Sequence, residues 1–244
     1  MILFFIALAL LVIFGLYLYV PIARALTLGD SLMVKSRAYI QTPENPTMSI
    51  LVMGDSTAVG TGAAYGHSTA GYLGKEFPMA TVLTDAKNGM KIEECVERLL
   101  KRKHEQHDLA LFQIGANDVT GLTSFTNIEE RLQTILTLSD GVAKQTIILS
   151  AGDVGTVPIF RWPLSSLMSH RSKKMRLLYK RLIAGHPKAV YVDLSGDGID
   201  EVFSYDSEKF YAADGFHPSG EGYRQWFLEI RKNIRDIAPE KPAQ

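Results

Sequence analysis

Hydrophobic positions fall along this chain in three regimes. From Ile2 through Ile22 they are nearly continuous, and the first charged side chain is Arg24. Polar residues then dominate to about residue 48, punctuated by Gly29, Pro43 and Pro46. Beyond that point short apolar runs alternate with segments whose apolar residues recur every three or four positions. A continuous run of this length spans a bilayer as a helix. A Gly- and Pro-containing polar stretch reads as a connector, and alternating runs of the third kind read as strands and helices in turn.

In that third regime the runs predict strands at about 49–54, 80–84, 109–114, 145–150 and 189–193. Between them lie helices at about 68–77, over Ile92, Val96, Leu99 and Leu100, at 128–142 and at 169–184. A last helix at about 219–236 is started by Ser219. The segment 152–168, with Val157, Pro158, Ile159, Phe160, Trp162, Pro163 and Leu164, reads as a long apolar loop. It either lines a pocket or packs down on the core. Strand and helix alternate without an internal repeat. The fold class expected is α/β: a three-layer sandwich built on a mainly parallel five-stranded sheet with helices on both faces. The organisation expected is an anchor over residues 1–25, a linker over 26–48 and one domain over 49–244.

The first regime has two readings. A cleaved signal peptide would carry a basic N-terminal region and a shorter apolar core; this segment has neither, so the expectation is an uncleaved single-pass anchor. Tyr17 and Tyr19 near its end suit an interfacial aromatic belt. Arg24, Lys35 and Arg37 follow the span and vote for a cytoplasmic domain, but three charges weigh little against the translocation of a long domain, so the side of the membrane stays open.

Charge and cysteine content narrow the chemistry. Lysine plus arginine balance aspartate plus glutamate at 26 each, so no global field draws nucleic acid. The single cysteine, Cys95, forms no internal disulfide, is too few for a cysteine-based zinc site, and falls among Ile92, Val96 and Leu99 as a packed residue. Residues 57–67 lack the Gly-Lys-Ser/Thr ending of a phosphate-binding loop. His104 and His107 sit beside Lys101, Arg102 and Lys103 and read as solvated. His67, His170 and His186 read as loop or helix-end residues, and no histidine pair has metal-ligand spacing beside carboxylates. The basic helix with Arg171, Lys173, Lys174, Arg176, Lys180 and Arg181 reads as a solvated face, with anionic lipid as the alternative.

The first strand stops at Gly54-Asp55-Ser56, so Ser56 lies where open α/β sheets place their ligands. A serine there is either a turn or capping residue or a nucleophile. Asp214 and His217 lie three apart in a Gly- and Pro-containing loop before the last helix. A carboxylate at that distance orients an imidazole, which then takes the proton of a serine hydroxyl. Asp55 reads as a residue holding its turn, and Asp118 and Asp153 as caps of neighbouring loops.

Gly54-Asp55-Ser56, Gly115-Ala116-Asn117-Asp118 and Asp214-Gly215-Phe216-His217-Pro218 resemble the serial blocks of the SGNH (GDSL-type) hydrolases, over about residues 49–230. Asn88-Gly89 falls where that family has its glycine block, and the match there is loose. Thr57 stands where the family's nickname has leucine. Ala58 replaces the second glycine of a Gly-x-Ser-x-Gly elbow, which argues against the ordinary α/β-hydrolase fold. The resemblance implies Ser56 as nucleophile, His217 as general base and then acid, and Asp214 as its holder. It implies an oxyanion hole of the Ser56 and Gly89 backbone N–H groups and the Asn117 side chain, with no metal or organic cofactor. The substrate implied is a small ester or a lipid. Deacetylation of a cell-envelope sugar, or acyl transfer to one, falls within the same resemblance, and a non-catalytic binding domain on a membrane tether is the rival outside it. Oligomeric state is not legible.

Overall fold

Five apolar runs become five strands of one sheet: β1 (Met48–Gly54), β2 (Ala80–Ala86), β3 (His107–Gln113), β4 (Ala143–Leu149) and β5 (Ala189–Val192), in the order β2-β1-β3-β4-β5. All neighbours are parallel, because each strand is joined to the next in the chain through a helical crossover. These relations come from a computed structural model that describes residues 1–195 and 199–235. The last residues of the domain expected over 49–244, including position 236 of its final helix, lie outside the described residues.

The helices are α1 (Ile2–Lys35), α2 (Ser56–Val59), α3 (Thr69–Glu76), α4 (Ile92–Lys101), α5 (Ala116–Thr120), α6 (Phe125–Val142), α7 (Leu164–Ile183), α8 (Ile199–Tyr205), α9 (Ser207–Phe210) and α10 (Gly220–Asn233). Side chains alternate across each strand, so both faces of β1 are apolar. Leu51 and Met53 pack with α4, α6 and α7 through Ile92, Leu132 and Met175. Ile50 and Val52 pack on the other face with Leu73 of α3 and Tyr223 and Trp226 of α10. Cys95 is fully buried in the first of these cores, and burial pushes its thiol well above the ordinary cysteine range.

Several boundaries differ from the sequence reading. The helix at the start of the chain does not stop near residue 25; it runs to Lys35, through the first ten residues of the expected linker. Leu18, Ile22, Ala25, Gly29, Leu32 and Ser36 recur every three or four positions and turn one stripe of α1 toward the domain, with Ala25 and Gly29 buried. The expected loop 152–168 is shorter than read, because α7 begins at Leu164 and a 3₁₀ turn forms at Val154–Thr156. Part of that loop packs down, with Val154 and Val157 buried, while Trp162 is two-thirds exposed.

Strand order positions the site. The crossover from β1 goes to β2 on one side, and the next returns past β1 to β3 on the other. The carboxyl ends of β1 and β3 therefore flank the crevice where such sheets bind ligands. Gly54 ends β1 with φ +152, and a Cβ there would lie 1.9 Å from the Gln113 carbonyl oxygen. Only glycine lets the two strand ends close this tightly, which joins the Asp55 N–H to Gln113 O at 3.0 Å.

Candidate active site

Beyond Gly54 the chain turns at once into α2. Asp55 is its cap: one carboxylate oxygen accepts the Thr57 N–H at 2.9 Å and the Thr57 hydroxyl at 2.8 Å. Capping therefore belongs to Asp55, and the Ser56 hydroxyl is left for another partner. Asp55 is almost wholly buried, and burial pushes its carboxyl up to about 6 against the lowering effect of the Thr57 bonds.

The partner of Ser56 is His217, whose Nε2 lies 2.9 Å from the serine Oγ across 161 positions of sequence. His217 Nδ1 lies 2.6 Å from Asp214 Oδ2. The second oxygen, Oδ1, accepts the N–H groups of Phe216 and His217, both at 3.0 Å. This carboxylate is thus fixed by its own loop before it meets the ring. Burial raises the Asp214 carboxyl, but the His217 bond and charge and the two amides outweigh it, and the group is held below the ordinary carboxylate range. The loop is held against the turn after α2 at Gly62, where φ is +97 and a Cβ would lie 2.4 Å from Pro218 O. Tyr223 donates to the Thr61 carbonyl at 2.8 Å from α10. All three residues are buried and in line: carboxylate, imidazole, hydroxyl. An arrangement of this kind can pass the hydroxyl proton to Nε2 while the carboxylate steadies the imidazolium.

Asn117 comes from the first turn of α5, at the end of β3. Its Nδ2 donates to Met90 O at 3.1 Å, which ties α5 to the 88–90 turn and leaves a second N–H of the amide for another acceptor. Asp118 accepts the Ile92 N–H at 3.0 Å, and so caps α4 from outside; Asp153 likewise accepts the Gly155 N–H at 2.8 Å. Gly89 sits in that turn with φ +76, and Thr61 donates to the Asn88 side chain at 2.8 Å. Ser56, Gly89, Asn117, Asp214 and His217 all border one cavity of about 420 Å³. Its other walls are Ile159, Phe160 and Phe216, and the second half of α1. A larger surface cavity of about 770 Å³, beside Val34, Arg37 and Tyr65, contains none of these five residues.

Two sequence readings are corrected here. His107 is not solvated: β3 begins two residues earlier than expected, and the buried ring lies 2.8 Å from Ser49 Oγ and 3.1 Å from a Glu105 oxygen. The basic helix is only partly a solvated face. Arg171 turns inward and donates to the carbonyls of Val119, Asp118 and Thr123 at 3.0, 3.2 and 2.6 Å, satisfying acceptors left at the end of α5. Arg176 and Lys180 pair with Asp193, and Arg181 with Glu129. The wall contributed by α1 was missed, because the small buried residues Ala25 and Gly29 give the sequence no amphipathic signal there.

The comparisons with known proteins give a family from the sequence and a fold from solved structures. A sequence model described as the GDSL-like lipase/acylhydrolase family matches residues 52–225. No curated protein sequence matches the chain. Among solved structures, TesA superposes with a TM-score of 0.62 at 17% identity, over 78% of this chain and 99% of that one. Phospholipase A1 from Streptomyces albidoflavus NA297 gives 0.62 at 14% identity, over 77% and 99%. A catalytic mutant of Axe2, an acetylxylan esterase from Geobacillus stearothermophilus, gives 0.58 at 16% identity, over 82% and 100%. At these identities the superpositions speak for the fold.

Proposed function

Since the chain belongs to the GDSL-like lipase/acylhydrolase family and is an ester-hydrolysing enzyme of SGNH type, we propose that it is a membrane-anchored serine esterase working through an acyl-enzyme on Ser56. The observation that carries this reading is the unbroken line Asp214 Oδ2–His217 Nδ1 at 2.6 Å and His217 Nε2–Ser56 Oγ at 2.9 Å. Ser56 Oγ attacks the ester carbonyl carbon as its proton passes to His217 Nε2. Asp214 holds the ring in the tautomer that leaves Nε2 free to accept. The negative charge that develops on the carbonyl oxygen is met by the Ser56 and Gly89 N–H groups and the spare N–H of Asn117. One such donor is typically worth about 2.7–4 kcal/mol at the transition state. Collapse of the adduct breaks the bond to the alcohol oxygen, which takes the proton from His217. Water, deprotonated in turn by His217, then releases the carboxylic acid and restores Ser56.

The anchor is the exposed apolar part of α1. Its most apolar 18-residue window has no buried residue, and an unburied helix of that composition is satisfied by lipid. The test is hydrolysis of p-nitrophenyl acetate by the purified full-length protein and its Ser56→Ala variant. The variant is expected to fall by about 10⁶ in kcat, to the level set by binding and the oxyanion donors alone, with an unchanged circular dichroism spectrum. Equal rates in the two proteins would overturn the assignment.

A further inference from the structure

The buried residues of α1 are Ala25 and Gly29, and they are buried against the site itself. A Cβ built on Gly29 would lie 3.5 Å from Asp214 Oδ2, so the helix backbone passes directly over the carboxylate. From this contact Ile22, Leu26 and Met33 face the 420 Å³ cavity, opposite Ile159, Phe160 and Phe216, with Ser56 and His217 also on its wall. Among the described residues, no lysine, arginine or glutamate lines it, and Asp214 is its one carboxylate. Such a lining offers a carbohydrate little to hydrogen-bond and suits a hydrocarbon chain.

The same helix fixes how the cavity stands to a bilayer. The exposed apolar run ends at Val20, and Gly29 follows nine residues later, about 13 Å along the axis at the α-helical rise. The loop that forms the opposite wall reaches back toward the apolar run. The Arg161 guanidinium lies 4.6 Å over the Tyr17 ring, and Trp162 beside it is largely exposed. Trp, Tyr and Arg together at the end of an apolar helix mark the headgroup level. The gap between α1 and this loop therefore opens toward the lipid.

We propose that residues 22–33 of α1 form one wall of the acyl pocket, and that the pocket takes the fatty acyl chain of an ester dissolved in the same bilayer that holds α1. The anchor is then a specificity-determining element as well as a tether. This rests on the esterase reading above. Gly29 and Ala25 are small, which lets the helix backbone pack close against the Asp214 side of the cavity. Each methylene excluded from the pocket lowers kcat/KM by about fourfold.

The test uses the full chain in detergent, with the ratio of kcat/KM for p-nitrophenyl decanoate to that for the acetate as readout. Gly29→Leu fills the cavity beside the triad and is expected to lower the ratio about tenfold or more. Met33→Ala, a milder change at the far end of the wall, is expected to raise it severalfold. Ratios within twofold of the parent for both variants would overturn the pocket assignment while leaving the esterase intact. In vesicles, p-nitrophenyl palmitate is expected to be cleaved at least tenfold faster when it shares the protein's bilayer than when it sits in separate protein-free vesicles; equal rates would overturn entry from the bilayer. A parent protein indistinguishable from Ser56→Ala on every ester would instead defeat the esterase reading.

Discussion

Replacing Asp214 by asparagine tests whether the carboxylate sets the direction of proton flow. Asp214 Oδ1 accepts two backbone N–H groups at 3.0 Å, and Oδ2 faces His217 Nδ1 at 2.6 Å. An asparagine amide has one acceptor oxygen, and the two N–H groups claim it. Its NH₂ must then face Nδ1, which becomes an acceptor, so the ring proton moves to Nε2. Nε2–H donates to Ser56 instead of accepting from it, and the base is lost with the geometry intact. The expected fall in kcat is roughly 10⁴, or about 5 kcal/mol at the transition state. Asp214→Ala makes the comparison sharp. It leaves His217 free to take either tautomer, so it should keep more activity than Asp214→Asn. It also strands the buried His217 N–H, at about 1–3 kcal/mol, and the partly buried Phe216 N–H at less, so it should be the less stable of the two. The assays are steady-state hydrolysis of p-nitrophenyl acetate and urea unfolding followed by circular dichroism. Asp214→Asn within tenfold of the parent, or an alanine variant less active than the asparagine one where both are folded, would refute the reasoning.

Two pH effects of opposite sign follow from the carboxylates beside Ser56. Burial lifts Asp55 to about 6 in the folded protein, so the native state binds this proton more tightly than the unfolded chain. The stability it lends is complete below the unfolded pKa and is lost as pH rises toward 6, a difference of about 3 kcal/mol. Asp55→Asn keeps the acceptor for Thr57 and removes the titration. Its stability relative to the parent, from urea melts, should therefore improve by about that amount between pH 3.5 and pH 7, and a flat difference would contradict the cause assigned. Asp214, held below the ordinary range, contributes in the other sense. The parent's advantage over Asp214→Asn should be present above the unfolded carboxylate pKa and shrink as pH falls through the folded value, read in the same melts.

The strands and the residues proposed for the triad were legible because each is written locally. Ile50 to Met53 is an apolar run cut off by Gly-Asp-Ser, and Asp214 and His217 share one short loop. Sequence could pair them with Ser56 only by resemblance; the packing of Gly62 against the 214–218 loop and the Tyr223 bond to Thr61 are what bring the three together. Ser56 looked equally suited to capping, and the structure separates the roles by giving the cap to Asp55. What stayed hidden depends on tertiary contact. Gly29 looks like a breaker in a polar linker, yet α1 passes over the carboxylate there, and small residues leave no amphipathic signature. His107 and Arg171 were assigned to solvent by the charges around them. The ring turned inward because the strand starts earlier, and the guanidinium because α5 ends in open carbonyls.

The central claim is that Ser56 is made nucleophilic by a histidine 161 positions away. Labelling of the folded protein with a fluorophosphonate, followed by peptide mass spectrometry, tests it most directly. The account predicts one adduct, on Ser56, absent from urea-unfolded protein and from His217→Ala. An unlabelled Ser56 in the native protein, or equal labelling without His217, would contradict it.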